Sequence, residues 1–268
     1  MSARAGHVPD AKTLCLCFLI ATLLGLHAEP AAARIVKSKS LAQRPQELTV
    51  GAHAEIENGD YAVPFLIEWA PTPKLKFLLE PAFGGTLADT GKWERGVLDT
   101  EASAVYEFMP ERRNRPSVAL QLGVKIPTAS NLELGTKKTD FLIGVIAAKE
   151  YVGYDLELSA GYTFLGKPKG VALKNVFEVS LAGERHWRPR IDLLGELTVS
   201  TGGSVRRGSG LGGVVSASDN SGRTELELIA GIAERMGKRW KLEQGIAAKS
   251  EGTVQLLLGW EYEFGVER

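Results

Sequence analysis

The sequence predicts an all-β protein, a transmembrane up-and-down antiparallel β-barrel of about twelve strands. Three observations point there. Apolar and polar residues alternate with period two along nearly all of the chain beyond residue 46, which is the mark of strands with two unlike faces. A secretion-type leader precedes them. The connections between alternating segments are by turns long and short, the asymmetry of barrels that cross a membrane.

Composition narrows the alternatives. The chain has 268 residues, enough for one large domain or two small ones. Lys+Arg and Asp+Glu are 32 each, so net charge is zero and a nucleic-acid partner is not expected. Hydrophobic residues at 44% and charged residues at 24% exclude a disordered chain. The two cysteines, Cys15 and Cys17, are too few for a disulfide framework or a Cys-based zinc site.

The first element is an address. Arg4 and Lys12 precede an apolar run from Thr13 to Leu26, and small residues follow at Ala28 and Ala31 to Ala33. This is a signal peptide over residues 1–33, with cleavage expected after Ala28 or Ala33. The run falls short of the roughly 20 residues that a spanning helix needs. Both cysteines lie inside it, so the remaining chain is expected to hold itself together without them. Residues 34–46 form a polar, flexible lead-in, and residues 265–268 a C-terminal tail.

Between them, residues 47–264 divide into alternating segments at 47–57, 59–70, 74–84, 97–109, 116–126, 138–149, 154–165, 174–186, 190–201, 222–235, 239–249 and 252–264. In 154–165, Tyr154, Leu156, Leu158, Tyr162 and Phe164 share one face, while Asp155, Glu157, Ser159 and Thr163 share the other. In the last segment Val254, Leu256, Leu258, Trp260, Tyr262 and Phe264 stand opposite Thr253, Gln255, Gly259, Glu261 and Glu263, with Leu257 among the latter. Long connections fall at 85–96, 127–137 and 202–221, all at one end. Tight turns such as Pro71 to Pro73, 187–189 and Met236 to Lys238 fall at the other.

Alternation does not say which face is enclosed. About eight strands is what side chains can fill, so twelve imply a polar, wet interior and an apolar exterior. The apolar-face aromatics also gather at strand ends: Trp69, Phe108, Tyr154, Trp187, Trp240 and Tyr262 by the short turns, and Tyr61, Phe83, Phe141, Phe164 and Phe177 by the long loops. Two such belts suit the two membrane interfaces. With the leader, this predicts the outer membrane of a Gram-negative cell, with outer-membrane lipid and the barrel-assembly machinery as partners.

The polar face is rich in acid. The residues expected to line the lumen are Glu55, Glu68, Glu80, Glu107, Lys125, Asp155, Glu157, Glu178, Glu196, Glu225, Glu227, Glu243 and Glu261. Glu101, Asp140, Glu184, Asp192 and Glu263 share their face, with the bases Lys74, Lys76, Arg235, Lys241 and Lys249. Rings of carboxylate favour cations or polar neutral solutes. The same charges, paired across strands, would instead fill the barrel and hold its shape.

The stretch from Ala119 to Gly166 resembles a known family. Gly123-Val124-Lys125-Ile126-Pro127-Thr128, Gly135 with Thr139-Asp140-Phe141, and Gly161-Tyr162-Thr163-Phe164-Leu165-Gly166 look like the outer-membrane family described as "MetA-pathway of phenol degradation". Ala129-Ser130 stands where that family often has Gly-Asp. The resemblance implies an outer-membrane barrel with a transport role and hints at aromatic or hydrophobic solutes.

The expected function is passive passage of a small-molecule solute, with no cofactor. The alternatives are a closed-lumen structural or surface-interaction barrel and a soluble periplasmic ligand-binding β-protein. An enzyme is not expected. Beyond the leader only His53 and His186 remain, and neither has Ser or Asp at a spacing suited to nucleophilic catalysis. Two histidines without cysteine also make a poor transition-metal set. The glycine-rich stretch 202–213 is read as an external loop, long enough to fold into the mouth as a gate. No predicted helix follows it, so it is not read as a phosphate cradle.

Overall fold

Alternation with no helical period leaves the backbone one way to satisfy its polar groups, which is pairing between strands. The computed structural model describes residues 47–57, 60–88, 91–132, 134–167, 174–201, 206–207, 213–214, 224–237, 239–250 and 252–264. The expected leader with its expected cleavage position, the expected lead-in 34–46, the expected tail 265–268 and most of the glycine-rich stretch lie outside these residues.

The strands are β1 (Glu47–Glu57), β2 (Asp60–Thr72), β3 (Leu75–Glu80), β4 (Ala82–Leu87), β5 (Trp93–Val97), β6 (Thr100–Met109), β7 (Ser117–Ile126), β8 (Asp140–Tyr151), β9 (Tyr154–Phe164), β10 (Val176–Arg188), β11 (Ile191–Thr201), β12 (Arg206–Arg207), β13 (Gly213–Val214), β14 (Thr224–Met236), β15 (Trp240–Lys249) and β16 (Val254–Phe264). β12 and β13 pair only with each other. The rest form one antiparallel sheet that closes on itself, because β1 pairs with β2 and also with β16. Gly51, for example, stands opposite Leu66 on one side and Glu261 on the other.

β3 and β4 are two parts of one crossing, both paired with β2 and separated by Pro81. β5 and β6 are likewise one crossing, separated by Leu98 and Asp99. The ring therefore has twelve crossings, the closed up-and-down barrel that the sequence predicts. Closure matters because an open edge in hydrocarbon would leave backbone N–H and C=O groups unsatisfied.

One pair of boundaries differs from expectation. The connection expected over 85–96 is mostly strand. Leu87 faces Trp93 and Phe83 faces Val97, so the loop shrinks to residues 88–92. The reason is the break at Leu98-Asp99, where alternation loses its phase. Trp93, Glu94 and Arg95 pair with Leu87, Thr86 and Gly85.

Register assigns the two faces. The β8–β9 ladder runs unbroken from Phe141 opposite Phe164 to Tyr151 opposite Tyr154. Register shifts occur at Trp69/Thr72, Glu107/Met109 and His186/Arg188, all near the short turns, where bulges are tolerated at a barrel rim. Leu158, Leu181, Leu228 and Ile246 are exposed. Aromatic rings pair at both ends of this outer face: Trp69–Phe77, Tyr151–Tyr154 and Trp240–Tyr262 by the short turns, Tyr61–Trp93 and Tyr162–Phe164 by the long loops. The enclosed face carries two apolar clusters, one of Leu66, Leu78, Val105, Ala119, Ile146 and Ala148, the other of Ala182, Leu194, Ile229, Ala233, Ala247 and Leu257. No helix of the described residues is long and apolar enough to cross a membrane; crossing is left to the strands.

Candidate functional site: the enclosed face and its two ends

A strand side chain that points inward meets the inward residues of its two neighbours, so the enclosed face is built by register. Glu68 on β2 stands beside Lys76 on β3, with Oε1 3.4 Å from Nζ. On β1, His53 Nε2 lies 2.6 Å from Glu55 Oε1, and Gln255 of β16 donates to Glu55 Oε2 at 2.9 Å. Lys249 Nζ is 2.5 Å from Glu57 Oε2 and closes the β15–β1 side. On the opposite wall the Ser180 and Thr198 hydroxyls both donate to Glu196 Oε1, at 2.6 and 2.9 Å.

These groups are withdrawn from water. Glu68 is 0% exposed, and Glu243 and Glu261 are 1% exposed. Glu55, Glu80, Glu107, Lys125, Glu157 and Glu196 are also buried. Asp155, Glu178, Glu225 and Glu227 keep partial exposure. A wide water-filled bore would wet such carboxylates, so at their height any passage is narrow. Charged groups this dry persist only when paired and hydrogen-bonded.

The short-turn end holds a denser group that spacing alone does not reveal. His186 Nδ1 lies 2.9 Å from Asp192 Oδ1, and His186 Nε2 lies 3.5 Å from Asp155 Oδ2. Arg235 reaches Asp192 at 2.9 Å and Glu184 at 3.3 Å, while Lys241 touches Glu184 at 3.3 Å and Glu243 at 2.9 Å. Ligand atoms of Glu184, His186 and Asp192 all fall within 4.8 Å of one another, a donor set of the size a metal ion uses. Arg235 and Lys241 already neutralise those carboxylates, so an ion would have to compete with two resident cations. Asp192 faces His186 across the β10–β11 hairpin, six residues on, whereas Asp155 comes from β9 on the other side, which spacing along the chain does not show.

At the long-loop end, Lys125 gathers one acid from the β5–β6 break and one from the start of β8. Its Nζ lies 2.7 Å from Asp140 Oδ2, 3.3 Å from Asp99 Oδ2 and 2.9 Å from Thr136 Oγ1. Of these, Asp140 is on the face expected to line the lumen, whereas Thr136 and the acid Asp99 are not. Asp99 sits in the break between β5 and β6, outside any regular alternation.

Comparison with known proteins shows the fold. No protein-family model matches the chain, and no curated protein matches it. An outer membrane channel from Pseudomonas putida F1 superposes with a TM-score of 0.62 at 14% identity, over 85% of this chain and 100% of that one. The NanC porin superposes at 0.58 with 8% identity, over 80% and 98%. The KdgM porin superposes at 0.56 with 11% identity, over 81% and 99%; another structure of it holds disordered oligogalacturonate. At these identities the likeness is one of architecture.

Proposed function

We propose that the chain resides in the outer membrane and forms a narrow, acid-lined passage for small solutes. The observation that carries this reading is the inversion of faces, with carboxylates enclosed and leucines turned outward. In water the outer face would be an apolar belt far larger than soluble proteins tolerate, which argues against the soluble ligand-binding alternative. In lipid the belt is solvated, and the enclosed charge becomes the chemistry that a solute meets.

That chemistry favours cations and polar neutral molecules, since acids outnumber bases on the enclosed face. An acidic sugar such as the oligogalacturonate found with the KdgM porin would meet like charge here, so that solute does not carry over. The apolar clusters beside the carboxylates give an aromatic or hydrophobic solute something to touch, in keeping with the family resemblance. Export through the leader, cleaved after Ala28 or Ala33, and insertion by the barrel-assembly machinery belong to the same reading. Passive passage needs no cofactor and no catalytic group.

A second reading has its own support. Glu68, Glu243 and Glu261 are so dry that the enclosed charges also suit a closed barrel acting through its external loops. Planar-bilayer recording separates the two. Cation-selective steps from the purified barrel are expected for a passage, and silence under every salt and voltage would favour the closed barrel.

A further inference from the structure

The described part of the connection between β7 and β8, residues 127–132 and 134–139, does not arch away from the barrel. It turns back into the mouth. Leu134, only 2% exposed, packs with Ala129 and Leu98 against Ala62 and Ala82. Both of these alanines lie on the enclosed face by register, Ala62 in step with Glu68 along β2 and Ala82 opposite Pro64. The strap also borrows the wall's hydrogen bonds. Ser130 N donates to Val97 O and Ser130 Oγ accepts from Val97 N, both at 2.9 Å. Thr128 Oγ1 donates to Leu98 O at 2.9 Å, and Asn131 Nδ2 donates to Glu94 Oε2 at 3.0 Å.

Two glycines show how closely it fits. A Cβ on Gly96 would stand 2.5 Å from Ser130 Oγ, and one on Gly135 would stand 2.5 Å from Ala129 Cβ and 2.7 Å from Asp99 Oδ2. Beneath the strap sits Lys125. Its ammonium bonds Thr136 of the strap while pairing with Asp99 and Asp140 of the wall. Asp99 in turn accepts from the strap's Ala129 N at 3.1 Å, and Asp140 accepts from Gly166 N at 2.7 Å.

We propose that residues 127–132 and 134–139 form a fixed inward strap that sets the bore of the external mouth, and that Lys125 is the positioning residue that holds it there. This rests on the reading of the barrel as a passage. Without the ammonium, two buried carboxylates would face each other and Thr136 would lose its partner. Hydrating those acids requires the strap to lift. The strap is thus an element of size selection, placed where a solute first enters.

The test uses the full chain with Cys15→Ser and Cys17→Ser, spin-labelled at Leu132→Cys on the strap and Leu87→Cys on β4, both exposed. Folding of each variant is checked by heat-modifiable migration. The unsubstituted strap is expected to give one narrow distance distribution. Lys125→Met should broaden it and raise single-channel conductance, and Lys125→Arg should restore both. If Lys125→Met does not fold, Asp99→Ala, which removes one partner of the lysine and the acceptor for Ala129, carries the same test. A distribution that stays narrow in a folded variant overturns the proposal, whatever the currents. Broadened distances in a barrel that never conducts would leave the strap standing and overturn the passage.

Discussion

Glu157 and Leu158 are consecutive, yet the carboxylate is 6% exposed and the leucine 51% exposed. The strand places them on opposite faces, and the closed ring decides which of those faces is enclosed. Water-soluble proteins reverse this order. Here it requires a surrounding medium that dissolves leucine, and it concentrates charge where only an enclosed solute can reach.

Leu158 faces lipid between Ala147 and Leu181. Leu158→Arg is expected to lower stability in the bilayer by about 2–4 kcal/mol, the cost of a midplane cation on a lipid-facing strand. Urea titration of the barrel folded into phospholipid vesicles measures it. An unchanged midpoint would place Leu158 away from hydrocarbon.

Leu257 is 1% exposed and packs within the cluster of Ala182, Leu194, Ile229, Ala233 and Ala247. Leu257→Ala should cost about 2–5 kcal/mol if that cluster is dry and close-packed. The same vesicle titration reports it. A loss near zero would mean that water occupies this part of the interior.

Ser180 donates to Glu196 at 2.6 Å in a buried setting. Ser180→Ala removes one of the carboxylate's donors while Thr198 stays, so a loss of about 1–3 kcal/mol is expected. The double variant Ser180→Ala/Thr198→Val should lose more than the sum of the singles, since one acceptor then keeps neither hydroxyl. A double-mutant cycle checks this.

Glu243 and Glu261 belong to the enclosed acid face, with Lys241 2.9 Å from Glu243. Neutralising both as Gln should move the zero-current potential in a salt gradient toward anion preference, because Lys241 then acts on the passage with less compensation. A potential identical to that of the unsubstituted barrel would remove these two acids from the conduction path.

Period two, together with tight turns at one end and aromatic rings at strand ends, was enough to determine an all-β barrel with twelve crossings and to say which residues share a face. That information is local: each side chain's face follows from its neighbours two positions away. The pairing partners were not legible. Asp99 meets Lys125 because the β5–β6 break turns it toward β7. His186 meets Asp155 and Asp192 because three strands align there, and Leu134 enters the mouth because Ala62 and Ala82 leave room for it. Pairing of neighbouring strands decided these contacts, since a side chain's burial and its charge partners depend on residues of other strands that share no period with it.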